Sequence, residues 1–265
     1  MRAYGEIVER LRRSTVQIFN SGAGSQGSGI LWNPDGLVVT NAHVARSSWP
    51  DVQLSDGRRL PATVELRDAR RDLAALRIDA SGLPAATPGD SSQVRAGQLV
   101  LAVGNPLGFA GAVSTGVVHS VGFVSGMGNQ SWIRAGVRLA PGNSGGPLAG
   151  ADGRIIGVNT AVMNGLGLAI PSHLVLEFLR RGAAPSLGIV LRPVDLGVVI
   201  VELEAQGAAA SAGLRAGDLL LIHHDALLAA LDSGQPVLKL QFLRGERWKI
   251  REVTVRLGAP VEAAA

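Results

Sequence analysis

The 265 residues carry 46% hydrophobic side chains, enough for a sizeable core, which excludes disorder along the whole chain. The formal charge of +4 comes from 25 basic and 21 acidic residues with no dense basic run interleaved with aromatics, which argues against nucleic-acid binding. Cysteine is absent, so disulfides, zinc–thiolate sites and a cysteine nucleophile are excluded, and the 35 glycines point to a fold rich in tight turns.

The first thirteen residues are charged throughout, and Ile7, Val8 and Leu11 predict a short amphipathic helix. They lack the apolar core of a signal peptide, and no stretch of the chain approaches the ~20 apolar residues of a transmembrane helix. As written, the sequence therefore reads as a soluble, cytoplasmic chain. Short strands follow at 15–19, 29–32, 37–40, 52–54, 60–66, 73–78, 99–103, 112–124, 132–134, 148–149, 154–159 and 167–169. Turn signals such as Asn33-Pro34-Asp35-Gly36, Ser55-Asp56-Gly57 and Ala151-Asp152-Gly153 separate them, with proline presetting φ and glycine taking positive φ. Hairpin spacing without interposed long helices predicts antiparallel barrels or a sandwich. Ser172 is a plausible N-cap for a helix over 173–181. Residues 182–185, Gly-Ala-Ala-Pro, read as a linker. Residues 186–258 then read as a small α+β domain with strands at 189–191, 197–203, 219–222, 237–243 and 252–256. Its helical pieces fall at 208–212 and 225–231, the second capped by Asp225. Residues 259–265 read as a frayed alanine-rich tail.

Three segments carry chemistry. In Pro141-Gly142-Asn143-Ser144-Gly145-Gly146-Pro147-Leu148, glycines and prolines disfavour regular structure, expose a hydroxyl and free the N–H groups around it. Such amides can converge on a developing oxyanion, and Gly142 and Ser144, with Asn143 between them, are the donors expected. Serine needs a base. His43 closes the strand Gly36-Leu37-Val38-Val39-Thr40-Asn41-Ala42-His43, and Asp72 precedes the apolar run Leu73-Ala74-Ala75-Leu76 and could orient an imidazole. Each segment alone has a bland structural explanation. Together they give the order His43, Asp72, Ser144, that of the chymotrypsin-like arrangement, in a β-rich context. No metal site or cofactor is expected. His223-His224-Asp225 does not converge, and His119 and His173 read as structural.

Thr40-Asn41-Ala42-His43-Val44, Asp72-Leu73-Ala74-Ala75-Leu76 and Gly142-Asn143-Ser144-Gly145-Gly146-Pro147-Leu148 resemble the HtrA/Deg trypsin-like serine proteases. So do Gly27-Ser28-Gly29, Val103-Gly104-Asn105-Pro106 and Gly157-Val158-Asn159-Thr160. The resemblance implies two perpendicular six-stranded chymotrypsin-like β-barrels over residues 1–181 with the triad in the cleft between them. It implies an ATP-independent serine endopeptidase acting on unfolded or damaged proteins through an acyl-enzyme. By the same resemblance Asn159, Thr160 and Ala161 join position 138 in the specificity pocket, and Arg138 there, in place of an aspartate, implies a small or apolar pocket. Ser186-Leu187-Gly188-Ile189 and Ala212-Gly213-Leu214-Arg215-Ala216-Gly217-Asp218 resemble a PDZ domain. Leu187, Gly188 and Ile189 would hold a peptide C-terminal carboxylate beside an added strand. This domain looks compressed, because His223-His224-Asp225 leads directly into the helix. The resemblance also implies a homo-oligomer, a trimer, with Tyr4 and Phe19 as candidate contributors, and a location in the cell envelope. Two other readings stand beside the endopeptidase: a peptide-binding chaperone or quality-control module with little proteolysis, and an esterase-like hydrolase using the same triad.

Overall fold

Helix α1 (Arg2–Arg13) buries Leu11 and places Arg10, Arg12 and Arg13 in its last turn, where cations oppose the negative end of the helix dipole. The hydroxyls of Ser14 and Thr15 donate to the Leu11 carbonyl at 3.0 and 2.8 Å, satisfying a C-terminal acceptor. The computed structural model describes residues 2–20, 25–106, 109–125, 127, 130–181, 186–205, 207–233, 235–245 and 249–257. The predicted linker 182–185 and tail 259–265 lie outside the described residues. The chain divides into two compact units, one of Met1–Val124 with Gln130–Arg180, the other of Ser125–Asn129 with Arg181–Ala265.

The first unit holds two closed antiparallel barrels of six strands each, as the resemblance implied. Strands β1 (Thr15–Phe19), β2 (Ser25–Leu31), β3 (Leu37–Thr40), β4 (Asp51–Gln53), β5 (Arg59–Asp68) and β6 (Leu73–Ile78) close in the order β1-β2-β3-β6-β5-β4. Val16, Ile18, Leu31, Val38, Val52, Leu76 and Ile78 fill this barrel, and burial of each aliphatic side chain contributes about 1.5–3 kcal/mol. The predicted β2–β3 turn forms because Asn33 Oδ1 accepts the N–H groups of Asp35 and Leu37, both at 3.0 Å. Gly36 is required there: its φ is +87° and a Cβ would overlap the Ile78 carbonyl oxygen.

Strands β7 (Leu99–Gly104), β8 (Ala112–Phe123), β9 (Ser131–Ala135), β10 (Pro147–Gly150), β11 (Ile155–Met163) and β12 (Leu166–Pro171) close the second barrel as β10-β11-β12-β9-β8-β7. Its core includes Val100, Val118, Ile133, Leu148 and Ile156. Helix α2 (Ser172–Arg181) begins one residue earlier than predicted, so Ser172 is its first residue rather than its cap. The Ser172 hydroxyl donates to the Gly89 carbonyl at 2.7 Å. Capping comes from a distant residue instead, as Ser91 Oγ accepts the His173 N–H at 3.0 Å. The same oxygen lies 2.8 Å from His173 Nδ1, a structural role for that histidine.

The second unit contains a five-stranded antiparallel sheet in the order β13 (Ile189–Val194), β14 (Gly197–Leu203), β15 (Leu219–Leu220), β16 (Val237–Leu243) and β17 (Arg251–Arg256). Helices α3 (Ala208–Ser211) and α4 (His224–Asp232) accompany it, and Leu187, Val198, Ile200, Leu214, Leu220, Leu227 and Phe242 form its core. Asp225 is not the cap of α4: that position is His223, and Asp225 sits in the first turn, where its charge complements the helix dipole. The predicted turn motif is locked by an ion pair whose carboxylate is buried. Arg244 Nε and Nη2 donate to the Asp218 carboxylate at 2.7 and 2.6 Å, and the Arg215 N–H donates to it at 2.8 Å. Its hydrogen bonds to the Asp218 carboxylate hold the Arg244 guanidinium above its ordinary pKa, against a smaller opposing effect of burial. Asp218→Ala strips that guanidinium of its ion-pair partner, leaving its bond to the Gly213 carbonyl, and is expected to destabilise this unit by about 3 kcal/mol. Amide exchange over β14–β16 should then accelerate by about a hundredfold, with the barrels unaffected, as read by mass spectrometry.

Candidate active site

The site is assembled from both barrels of the first unit. His43 lies in the turn after β3, where the Asn41 carbonyl accepts the N–H groups of Val44 and Ala45 at 3.1 and 3.2 Å. Asn41 is buried and its Nδ2 donates to the Asp72 carbonyl at 2.9 Å, tying the histidine turn to the start of β6. Asp72 has φ 55°, a left-handed conformation that costs a non-glycine residue about 1–2 kcal/mol. Hydrogen bonds hold it there. His43 Nδ1 lies 2.9 Å from both carboxylate oxygens, and the His43 N–H donates to Oδ1 at 3.0 Å. The imidazole is half open, with 45% of its side chain exposed against 23% for Asp72, so its far edge faces solvent while its Nδ1 is held.

Ser144 occupies the turn before β10. Gly142 and Gly145 take φ values of +105° and +84°, and a Cβ on Gly145 would overlap both the Ser28 carbonyl and the Thr40 hydroxyl. The Ser144 hydroxyl donates to the Thr160 carbonyl at 2.7 Å. The hydroxyl of the same threonine donates to Asp72 Oδ2 at 2.6 Å. Thr160 therefore joins the serine and the carboxylate, a link that no local sequence signal announced, because it depends on β11 of one barrel meeting β6 of the other. Among the described residues no hydrogen bond joins Ser144 Oγ to the imidazole, so the hydroxyl rests turned toward Thr160.

Around Ser144 the loop amides are sorted. The Asn143 N–H is spent on the Ala140 carbonyl at 3.0 Å, and the Gly145 N–H on the Asn159 carbonyl at 2.8 Å. The N–H groups of Gly142 and Ser144 donate to no carbonyl among the described residues. Asn143 thus lies in the loop without offering its backbone donor, for the plain reason that the turn closes on it. Of the other predicted site residues, Asn159 is buried and its Nδ2 donates to the Pro147 carbonyl at 2.8 Å, making it a brace under the serine loop. Ala161 is half-buried at a bulge in β11 where it pairs with Leu168. Arg138 is exposed and anchored by its N–H to Ser114 Oγ at 2.7 Å. Beside these residues, Val137 Cγ2 and Leu139 Cδ1 lie 2.7 and 3.0 Å from where a Gly167 Cβ would stand. Leu187, Gly188 and Ile189 belong to the second unit, at the start of β13.

Comparison with known proteins places the site in context. The family described as "Trypsin-like peptidase domain" matches residues 27–158. A probable periplasmic DegP-like serine endoprotease of Halomonas elongata is 35% identical over 230 residues, covering 74% of this chain and 47% of that protein. The mitochondrial serine protease HTRA2 of Drosophila pseudoobscura pseudoobscura is 42% identical over 168 residues, covering 60% of this chain and 39% of that protein. The chain thus spans less than half the length of these two relatives. Among solved structures, the HtrA-type protease AlgW with a tripeptide superposes with a TM-score of 0.67 at 28% identity, covering 96% of each chain. AlgW with a decapeptide gives a TM-score of 0.66 at 26% identity, covering 97% of this chain and 98% of that one.

Proposed function

The chain carries an HtrA/DegP-like trypsin-like serine protease domain, and on that premise we propose that it hydrolyses peptide bonds in unfolded or damaged proteins with Ser144 as nucleophile. The observation that carries this reading is the bonding around Asp72: one carboxylate holds His43 Nδ1 at 2.9 Å and, through Thr160, reaches Ser144. With Nδ1–H donated to Asp72, the neutral imidazole presents Nε2 as the base. The Ser144 hydroxyl leaves the Thr160 carbonyl, gives its proton to Nε2 and attacks the substrate carbonyl. Asp72 then stabilises the imidazolium, and the N–H groups of Gly142 and Ser144 receive the oxyanion. The imidazolium protonates the leaving amine, and water, activated by the same base, hydrolyses the acyl-enzyme. Val137 and Leu139 pressing toward Gly167 support a small or apolar specificity pocket beside Thr160 and Ala161.

The test is a fluorophosphonate probe followed by digestion of an unfolded casein. Labelling at Ser144 together with casein cleavage is expected; a folded chain that neither labels nor cleaves would overturn the reading. The turned-away Ser144 hydroxyl favours the second reading, a peptide-binding quality-control module with little proteolysis, which predicts binding of unfolded chains without label.

For the second unit the proposal is a PDZ-like peptide-binding domain, residues 186–258. Strand β13 lies at an open edge of its sheet. The carbonyls of Leu187 and Gly188 are spent on the N–H groups of Ala209 and Glu204 at 2.9 and 2.8 Å. Because the peptide is planar and trans, the Ile189 N–H then points away from β14 toward that edge, where an added strand would pair. The likeness to AlgW, solved with peptides and matched over 96% of this chain, supports the same reading. A place in the cell envelope is proposed from the DegP-like relatives, whose names include "periplasmic", and assembly as a trimer from the family resemblance of the sequence. For such an assembly Tyr4 is exposed, whereas one face of Phe19 is covered by the Arg59 guanidinium at 4.2 Å. Among the described residues no helix is long and apolar enough to cross a membrane.

A further inference from the structure

Gly27-Ser28-Gly29 and Val103-Gly104-Asn105-Pro106 take no part in the chemical steps above, yet they meet directly beneath the serine loop. We infer that Ser28, held by Asn105, is a positioning residue that pins the serine loop on both sides of the peptide carrying the oxyanion-binding Ser144 N–H; the inference rests on the serine-protease reading of this same site. Ser28 lies in β2 and is 0% exposed. Its hydroxyl donates to the Gly142 carbonyl at 2.6 Å and accepts the N–H and Nδ2–H of Asn105 at 2.9 and 3.1 Å. The one donor and both lone pairs of this buried oxygen are thereby used. The Ser28 N–H donates to the Ser144 carbonyl at 2.8 Å. Its own carbonyl accepts the Thr40 hydroxyl at 2.6 Å. A single residue of the first barrel thus grips the carbonyls on either side of Asn143.

The consequence follows from peptide planarity. Fixing a carbonyl fixes the plane of its peptide and hence the direction of the N–H across it. Ser28 fixes the planes after Gly142 and after Ser144, which carry the N–H groups of Asn143 and Gly145, and so holds the loop on both flanks of the peptide between them. The plane between them is fixed by the Gly146 N–H, which donates to the Asn143 carbonyl at 3.0 Å. The Ser144 N–H must then point opposite to that carbonyl, away from the loop's own bonds. Gly142 and Gly145 explain why a clamp is needed. Both sit at positive φ, and a Cβ on either would overlap the Asn105 or Ser28 carbonyl, so only glycine lets the loop close onto its anchor. The same absence of side chains leaves that backbone free to flip unless its carbonyls are held. Asn105 carries the anchor across the barrels, with Nδ2 donating to the Val16 carbonyl and Oδ1 accepting the Gly111 N–H, both at 2.9 Å.

The experiment compares Ser28→Ala with the parent chain after active-site titration with a fluorophosphonate, so that rates refer to competent sites. A peptide substrate gives kcat and KM, and a peptide aldehyde, which forms a tetrahedral adduct on the serine, gives Ki. The expected result is a 10- to 100-fold fall in kcat per titrated site, with KM within about threefold and aldehyde affinity weakened by the same factor as kcat. A merely structural serine would lower the titratable fraction or the melting temperature and leave kcat per site and Ki unchanged, and that outcome overturns the inference. Ser28→Cys nearly keeps the volume while replacing the hydroxyl with a weak donor, so it carries the same comparison should Ser28→Ala not fold. A parent chain that cannot be titrated at all ends the serine-protease reading itself, whereas a competent parent with an unaltered Ser28→Ala ends only this inference.

Discussion

Ser144→Ala is expected to lower casein turnover by on the order of a millionfold, leaving only what the oxyanion donors and substrate binding supply. The magnitude follows from what the hydroxyl does in the proposed cycle: without it no acyl-enzyme forms, and His43 and Asp72 have no proton to move. The substitution is structurally mild. Among the described residues the hydroxyl makes one hydrogen bond, to the Thr160 carbonyl, and the backbone groups that hold the turn stay in place. Circular dichroism and the melting temperature should therefore stay close to those of the parent chain while cleavage and fluorophosphonate labelling disappear. Turnover within tenfold of the parent would remove Ser144 from the chemistry.

Asp72→Asn is expected to lower kcat by about 10⁴ at neutral pH, the second largest effect. Three donors converge on the two oxygens of Asp72: the His43 N–H, the His43 Nδ1–H and the Thr160 hydroxyl. An amide offers one oxygen and one NH2, so at least one donor must face another donor. The imidazole relieves this by moving its proton to Nε2, the tautomer that cannot accept the Ser144 proton. Asparagine also tolerates the φ of 55° at this position, so the fold should survive and the loss can be assigned to chemistry. The measurement is kcat on a peptide substrate beside a thermal melt. An unchanged melt with kcat within tenfold of the parent would show that this carboxylate does not orient the base. Thr160→Val tests the same link more gently, with a loss of about tenfold for one hydrogen bond to a charged acceptor.

Particular residues show how far the sequence reached. Turn chemistry at Asn33-Pro34-Asp35-Gly36 was legible because it is local: one side chain folds back on two nearby amides and one glycine takes positive φ. The strand pattern was legible where burial alternates, as in β5 and β16, and where turn signals bound a short apolar run, as in β6 and β7. Helix caps failed at Ser172 and Asp225 for the same reason in two guises. At Ser172 a distant hydroxyl, Ser91, supplies the cap, and at Asp225 the helix starts one residue earlier, with His223 before it. Thr160 and Asn159 were expected in a pocket by resemblance. What no resemblance supplied is their bonding, to Asp72 and to the Pro147 carbonyl, which depends on where β11 lies against two other segments.

Residue types, their order and the small-residue turns were enough to name the chemistry, since an imidazole, a carboxylate and a hydroxyl on a glycine-rich turn have few joint uses. Which way the Ser144 hydroxyl rests, which loop amides remain unspent, and that Ser28 and Asn105 grip the loop from beneath were decided only by the tertiary structure. The reason is that hydrogen bonds are directional over about 3 Å, while the segments that make them lie far apart in sequence and meet only when both barrels have closed.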